Sequence, residues 1–202
     1  MASPNGRARK IDVEQLGPSR TVLLLVDFIN PLNFDGAENL RDAAVSASRA
    51  TARLRRRLWR EGCQAVYAND NYGVWRSDFS SLWQTCSLVA GAPGTMARAL
   101  RPRKQDFTIL KPRHSAFYST PLDLLLRQLK CKRLVLTGLA ADNCVLFTAM
   151  DAYLRGYSVW IPADCTAAES EEAKQQALEH MARVLKADVS ASSAEATRSR
   201  RR

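Results

Sequence analysis

Five runs of consecutive apolar residues constrain this 202-residue chain more than any other feature. They are TVLLLVD at 21–27, QAVYAND at 64–70, FTILK at 107–111, KRLVLTG at 132–138 and YSVWIPAD at 157–164. Strands that are apolar on successive residues, rather than on alternate ones, are covered on both faces. Between the runs lie helical patterns at about 38–60, from Pro121, through 138–157 and over SEEAKQQALEHMARVL at 170–185. Strand and helix in alternation imply a parallel sheet with right-handed crossovers.

The expected fold is therefore α/β: a three-layer α/β/α sandwich, Rossmann-like, around a mostly parallel sheet of five or six strands. The glycine- and proline-marked segment 71–104 carries at most short helices. G-x-G-x-x-G is absent after the first strand, where VDFINPLNF stands, so a dinucleotide enzyme is not expected and no cofactor is assigned.

The length suits one domain, expected over 20–186, with a flexible basic N-terminal segment at 1–19 and a disordered basic tail at 187–202. The net charge of +10 suggests a nucleic-acid partner until it is divided: residues 1–20 carry +2 and residues 190–202 carry +3, leaving +5 for the rest. The further basic stretch RLRRRLWR at 53–60 lies on a helical pattern, and its arginines are expected to form a solvated face. No recognition motif accompanies the charge, so nucleic acid is not expected as a partner. No apolar run reaches the roughly 18 residues of a spanning helix, and the N-terminus lacks the apolar middle of a secretory signal. No membrane association is expected, and the location is read as cytoplasmic. Five widely spaced cysteines with only two histidines fit neither a zinc knuckle nor a disulfide framework, so reduced thiols are expected.

Ligands of open parallel sheets bind beyond the carboxyl ends of the strands. Asp27 ends the first run, Lys111 ends the third, and Cys144 follows the fourth by a short turn. A charged residue directly after a buried run calls for a partner, which an aspartate and a lysine supply to one another. Cys144 at the head of a helix, beside a lysine, would be favoured as thiolate and could attack an acyl carbon, with Asp27 moving the proton. Each residue also has a plainer reading: Cys144 as core filler, Asp27 as a loop cap and Lys111 as a surface ion-pair partner. Cys63, Cys86, Cys131 and Cys165 are read as structural. His114 offers a competing nucleophile pair with Cys144.

VDFIN at 26–30, KPRHSAFYSTPLDLLL at 111–126 and GLAADNCVLFTAMDAYLRGYSVWIPADCTA at 138–167 resemble the isochorismatase-like cysteine hydrolases, the superfamily of nicotinamidases and N-carbamoylsarcosine amidohydrolases. The resemblance implies a catalytic triad of Asp27, Lys111 and Cys144. It also implies a cis peptide between Leu139 and Ala140, and an oxyanion held by the backbone N–H groups of Ala140 and Cys144. Asn30, Phe34, Asn71, Trp75, Arg76, Phe117 and Tyr118 are expected to line the substrate pocket. NDNYGVWRSDF after the second strand has no histidine where nicotinamidases hold their metal, so no metal is expected. The expected function is hydrolysis of a C–N bond in a small amide or ureide through a thioester on Cys144. The alternatives are a vinyl-ether hydrolase, or a binding protein on the same fold. The apolar helix faces lead to the expectation of a homo-oligomer, dimer or tetramer.

Overall fold

The computed structural model describes residues 16–193. Its strands are β1 (Thr21–Val26), β2 (Gln64–Asp70), β3 (Phe107–Lys111), β4 (Arg133–Leu139), β5 (Ser158–Trp160) and β6 (Thr166–Ala167). Its helices are α1 (Ala37–Arg60), α2 (Phe79–Leu88), α3 (Ala92–Ala99), α4 (Leu122–Gln128), α5 (Leu146–Leu154) and α6 (Glu171–Leu185). The strands run in the order β3-β2-β1-β4-β5, with β6 also on β4, and every pairing is parallel.

β1 shows why its apolar residues are consecutive. Val22, Leu24 and Val26 enter one core with α4, α5 and α6, while Leu23 and Leu25 enter a second core with α1, α2 and α3. All five are 0–1% exposed, and full burial of each such side chain is worth about 1.5–3 kcal/mol. This is the expected three-layer α/β/α sandwich. α1 buries Leu40, Ala44, Ala47, Thr51, Leu54 and Leu58 along one stripe, the spacing of an amphipathic helix on a sheet. The starts of α2 and α6 are capped by side chains: Asp78 accepts from the Ser81 N–H at 2.9 Å, and Ser170 accepts from the Ala173 N–H at 3.1 Å.

Three expectations change. The run 157–164 is not one strand: β5 ends at Trp160, Pro162 has no N–H to donate, and a 3₁₀ turn at Ala163–Cys165 intervenes before β6 resumes beside β4. The tail expected from 187 joins the fold for its first residues: the Ile161 N–H donates to Asp188 O, the Trp160 indole donates to Ser190 O, and Ser192 bonds Asp164. At the other end, Ser19 is buried and its N–H donates to Leu129 O at 2.7 Å. Residues 1–15 and 194–202 of those terminal segments lie outside the described residues. Third, the arginines of α1 are not all solvated. Arg55 is buried, pairs with Asp106, donates to Arg101 O and lies over the Tyr67 ring. Its aliphatic neighbours set the helix stripe, but Arg55 falls within that stripe and not opposite it.

Candidate active site

The strand order reverses between β1 and β4, which places a crevice beyond their carboxyl ends. Asp27 follows β1 with a left-handed backbone (φ 51°), a conformation that aspartate tolerates better than most residues. Both its carboxylate oxygens are held: Oδ1 accepts the Asp70 N–H at 2.7 Å, and Oδ2 accepts from Lys111 Nζ at 2.8 Å. Lys111 is fully buried at the end of β3, and its side chain crosses the end of β2 to reach Asp27. The same ammonium lies 3.5 Å from Cys144 Sγ and 3.8 Å from Asp70 Oδ2.

Cys144 arrives from β4 by an unusual route. Gly138 has φ 142°, and a Cβ there would lie 2.2 Å from Val26 O, so only glycine lets β4 pass β1 at this point. The Leu139–Ala140 peptide that follows is cis. The chain then enters a π-helical turn, Ala141–Val145, in which the Val145 N–H donates to Ala140 O, and this runs directly into α5. The Cys144 carbonyl accepts from Thr148 Oγ1 at 2.6 Å.

The electrostatics differ from the sequence expectation of a favoured thiolate. Burial first, and then the Asp27 carboxylate, push the Cys144 thiol up to about 12 against the opposing pull of Lys111. Cys144 is the fourth residue of its helical segment, still within the first turn, so whatever the helix dipole offers the thiolate is outweighed by burial. Burial raises the Asp27 pKa too, against the lowering effect of Lys111. For Lys111, burial opposes the cation, but the charges of Asp27, Cys144 and Asp70 together with the Asp27 hydrogen bond prevail and hold its pKa above the ordinary value. The Lys111 ammonium thus lies within reach of both the Asp27 carboxyl and the Cys144 thiol, and burial favours the protonated form of that thiol.

The expected pocket residues divide. Asn71, Trp75 and Tyr118 line a cleft of about 600 Å³ with Asp70, Gly73, Pro112, Arg113 and Ser119, above the ends of β2 and β3. Asn30 is buried, and its Oδ1 accepts the Leu32 N–H within its own loop. Phe34 is exposed and outside that lining, as is Arg76. Phe117 departs from expectation outright. It is 5% exposed, stacks on Tyr157 at 6.2 Å between centroids and lies under the Arg155 guanidinium, so it belongs to the core beneath the loop.

Three residues enter that sequence reasoning missed or undervalued. Asp70 ends β2 as Asp27 follows β1, and its place as the acidic residue closing QAVYAND was the signal that could have found it. Tyr72 follows Asp70 by two residues, 42% exposed and with a left-handed backbone (φ 52°), and its N–H donates to Asp70 Oδ1 at 2.6 Å. No periodicity marks it, since it sits in a loop. His114, the competing partner considered for Cys144, has Nδ1 3.9 Å from Cys144 Sγ, and its ring stacks on Phe147 of α5. Its loop is clamped to α5 by Ser115, which donates to Asp151 Oδ2, and by the Ala116 N–H, which donates to Thr148 Oγ1. Among the described residues no group of three or more His, Cys, Asp and Glu side chains is placed to hold a metal ion.

Residues 21–193 match the family described as the Isochorismatase domain. The chain is 37% identical over 167 residues to the uncharacterized isochorismatase family protein YaaI of Bacillus subtilis, covering 83% of this chain and 91% of that one. It is 32% identical over 177 residues to the ureidoacrylate amidohydrolase RutB of Methylorubrum extorquens, covering 72% of this chain and 69% of that one. Among solved structures, the N-carbamoylsarcosine amidase from Thermoplasma acidophilum superposes with a TM-score of 0.66 at 26% identity, over 86% of this chain and 96% of that one. An isochorismatase family protein from Desulfovibrio vulgaris shares the fold, with a TM-score of 0.70 at 20% identity over 89% and 97% of the two chains. With the family match spanning nearly all the described residues, the chain is a hydrolase that belongs to the isochorismatase family.

Proposed function

We propose that this protein hydrolyses a C–N bond of a small amide or ureide through a thioester on Cys144. The observation that carries the reading is the fully buried Lys111 ammonium, 2.8 Å from Asp27 and 3.5 Å from the thiol. Burying this ion pair carries a desolvation cost that a well-packed apolar pair would avoid, so stability alone does not call for a lysine there. Asp27 takes the thiol proton as Sγ attacks the carbonyl carbon, and the carbonyl oxygen becomes an oxyanion facing the N–H groups of Ala140 and Cys144. The intermediate collapses as Asp27 returns that proton to the leaving nitrogen, and the amine departs. Water then attacks the thioester, gives its proton to Asp27, and releases the acid and the thiol. A carboxyl whose pKa is raised toward the working pH is suited to carry a proton in both directions.

The names of two similar proteins, a ureidoacrylate amidohydrolase and an N-carbamoylsarcosine amidase, support a ureide or carbamoyl substrate. The second reading, a Cys144–His114 pair, is favoured by the 3.9 Å approach of His114. Asp27 is preferred because both its oxygens are already bonded in place, whereas His114 is exposed. The five free cysteines support a reducing, cytoplasmic setting, and the exposed Phe147, Met150 and Leu154 on α5 support a homo-oligomer, dimer or tetramer. No helix among the described residues is long and apolar enough to cross a membrane. The test is a screen of small amides, ureides and carbamoyl acids, with and without chelator. Any substrate found should be turned over with chelator present, lost with Asp27→Asn and retained with His114→Ala. Loss with His114→Ala and retention with Asp27→Asn would select the dyad, and survival with Cys144→Ala would select vinyl-ether chemistry.

A further inference from the structure

A cavity larger than the cleft beside the triad opens at the opposite edge of the sheet. It measures about 930 Å³ and is lined by Arg20, Arg127, Lys130, Lys132 and Arg155, with Asp123 as its one acidic side chain. Arg20 and Lys132 immediately precede β1 and β4, so this is the amino-terminal edge, separated from Asp27 by the whole of β1, about 20 Å. Asp123 is engaged three times: by Arg127 at 2.7 Å, by Arg155 at 4.0 Å and by the Tyr157 hydroxyl, which donates to it at 3.2 Å. Arg155 also pairs with Asp151. Arg20, Lys130 and Lys132 have no ion-pair partner among the described residues.

Cations at helix C-termini are commonplace, because they offset the negative end of the dipole. That accounts for Arg127 and Arg155. It does not account for Arg20 and Lys132, which lie just before strands, and the last carbonyls of α4 are already occupied: the Leu129, Lys130 and Cys131 N–H groups donate to Leu125, Arg127 and Leu126. Three unpaired cations converging on a concave surface repel one another unless an anion joins them. The geometry points to a binding site for a small anion bearing two or more phosphate or carboxylate groups, held by Arg20, Lys130 and Lys132 over the body of Tyr157. Several charges are required, because single exposed ion pairs are worth little.

Titration calorimetry on the full chain at low ionic strength, with inorganic pyrophosphate and separately with citrate, tests this and distinguishes the two anion types. Saturable one-to-one binding of either is expected, tighter than that of orthophosphate or acetate. Lys130→Glu/Lys132→Glu should weaken it at least tenfold, and Lys130→Gln/Lys132→Gln should weaken it less but measurably, which keeps the test available if charge reversal impairs folding. Arg53→Glu/Arg56→Glu, the same charge change on exposed residues of α1, should alter it less than twofold. Absence of saturable binding by both anions would overturn the site. So would equal weakening by the α1 pair, which would mean only general attraction to a cationic protein.

Discussion

Replacing Lys111 by methionine removes the cation and keeps an unbranched side chain one atom shorter. In the native site Nζ lies 2.8 Å from Asp27 Oδ2, and the lysine and aspartate are 0% and 5% exposed. At an effective dielectric of about 20 that separation corresponds to roughly 6 kcal/mol of gross attraction, which the desolvation of both ions offsets in large part. In the variant, Asp27 keeps the Asp70 N–H and the neighbouring Cys144 thiol but has no cation, and escapes by taking up a proton. Protonating a carboxyl of ordinary pKa at pH 7 costs about 4 kcal/mol, which sets a ceiling on the loss. Burial already holds Asp27 above its ordinary value, so part of this cost is present in the native protein. A loss of about 3 kcal/mol at pH 7 is therefore expected, at the lower end of what breaking a buried pair costs. The sign of the pH dependence follows. Without Lys111 the folded carboxyl holds a proton that the unfolded chain releases, so the variant's stability falls by up to about 1.4 kcal/mol per unit as pH rises above about 4. Urea unfolding followed by tryptophan fluorescence at pH 5 and pH 7 measures both numbers, and Asp27→Asn/Lys111→Met should recover more than half of the loss. A loss under about 1 kcal/mol at pH 7, or a variant more stable at pH 7 than at pH 5, would refute the reasoning.

Alkylation of Cys144 by iodoacetamide, followed by peptide mapping, should be slow at pH 7 and still rising at pH 10, because burial and Asp27 push the thiol up to about 12. Asp27→Asn removes the second of those causes and should accelerate labelling at a given pH, while a plateau below pH 8 in the native protein would contradict the electrostatics. Gly138→Ala puts a Cβ 2.2 Å from Val26 O at a φ of 142°, and should cost more than about 3 kcal/mol or prevent soluble expression, read by thermal unfolding. Arg55→Met strands Asp106 and should cost about 3–5 kcal/mol in the same assay, with Asp106→Asn added to it restoring part of the loss.

The pairing of Asp27 with Lys111 was legible because a charged residue that closes an apolar strand calls for a partner, and the two meet at 2.8 Å. The fold was legible for the related reason that a strand buried on both faces cannot alternate, as Val22 to Val26 show. What could not be read depended on which side chains meet across the sheet. The sequence marks Phe117 as an aromatic in a loop beside the site, but only the approach of Tyr157 and Arg155 from beyond α5 shows that it turns inward. Arg55 looks like one arginine among several until Asp106, 51 residues away, meets it. The upward push on the thiol could not be read along the chain for the same reason. Lysine and helix position are visible along the chain, whereas the burial that outweighs them is a property of the assembled core. His114 is separated from Cys144 by 30 residues and reaches it because Ser115 and Ala116 bond to α5, contacts that no local pattern announces.

Covalent catalysis at Cys144 is tested most directly by intact-protein mass spectrometry on samples quenched in acid during turnover of a small amide or ureide. The expected spectrum shows one added acyl group, mapped to the peptide carrying Cys144, that accumulates within the first turnover and disappears when substrate is exhausted. It should be missing from Cys144→Ala. Sustained turnover with no adduct on Cys144 at any quench time, and with activity surviving in Cys144→Ala, would contradict a thioester mechanism.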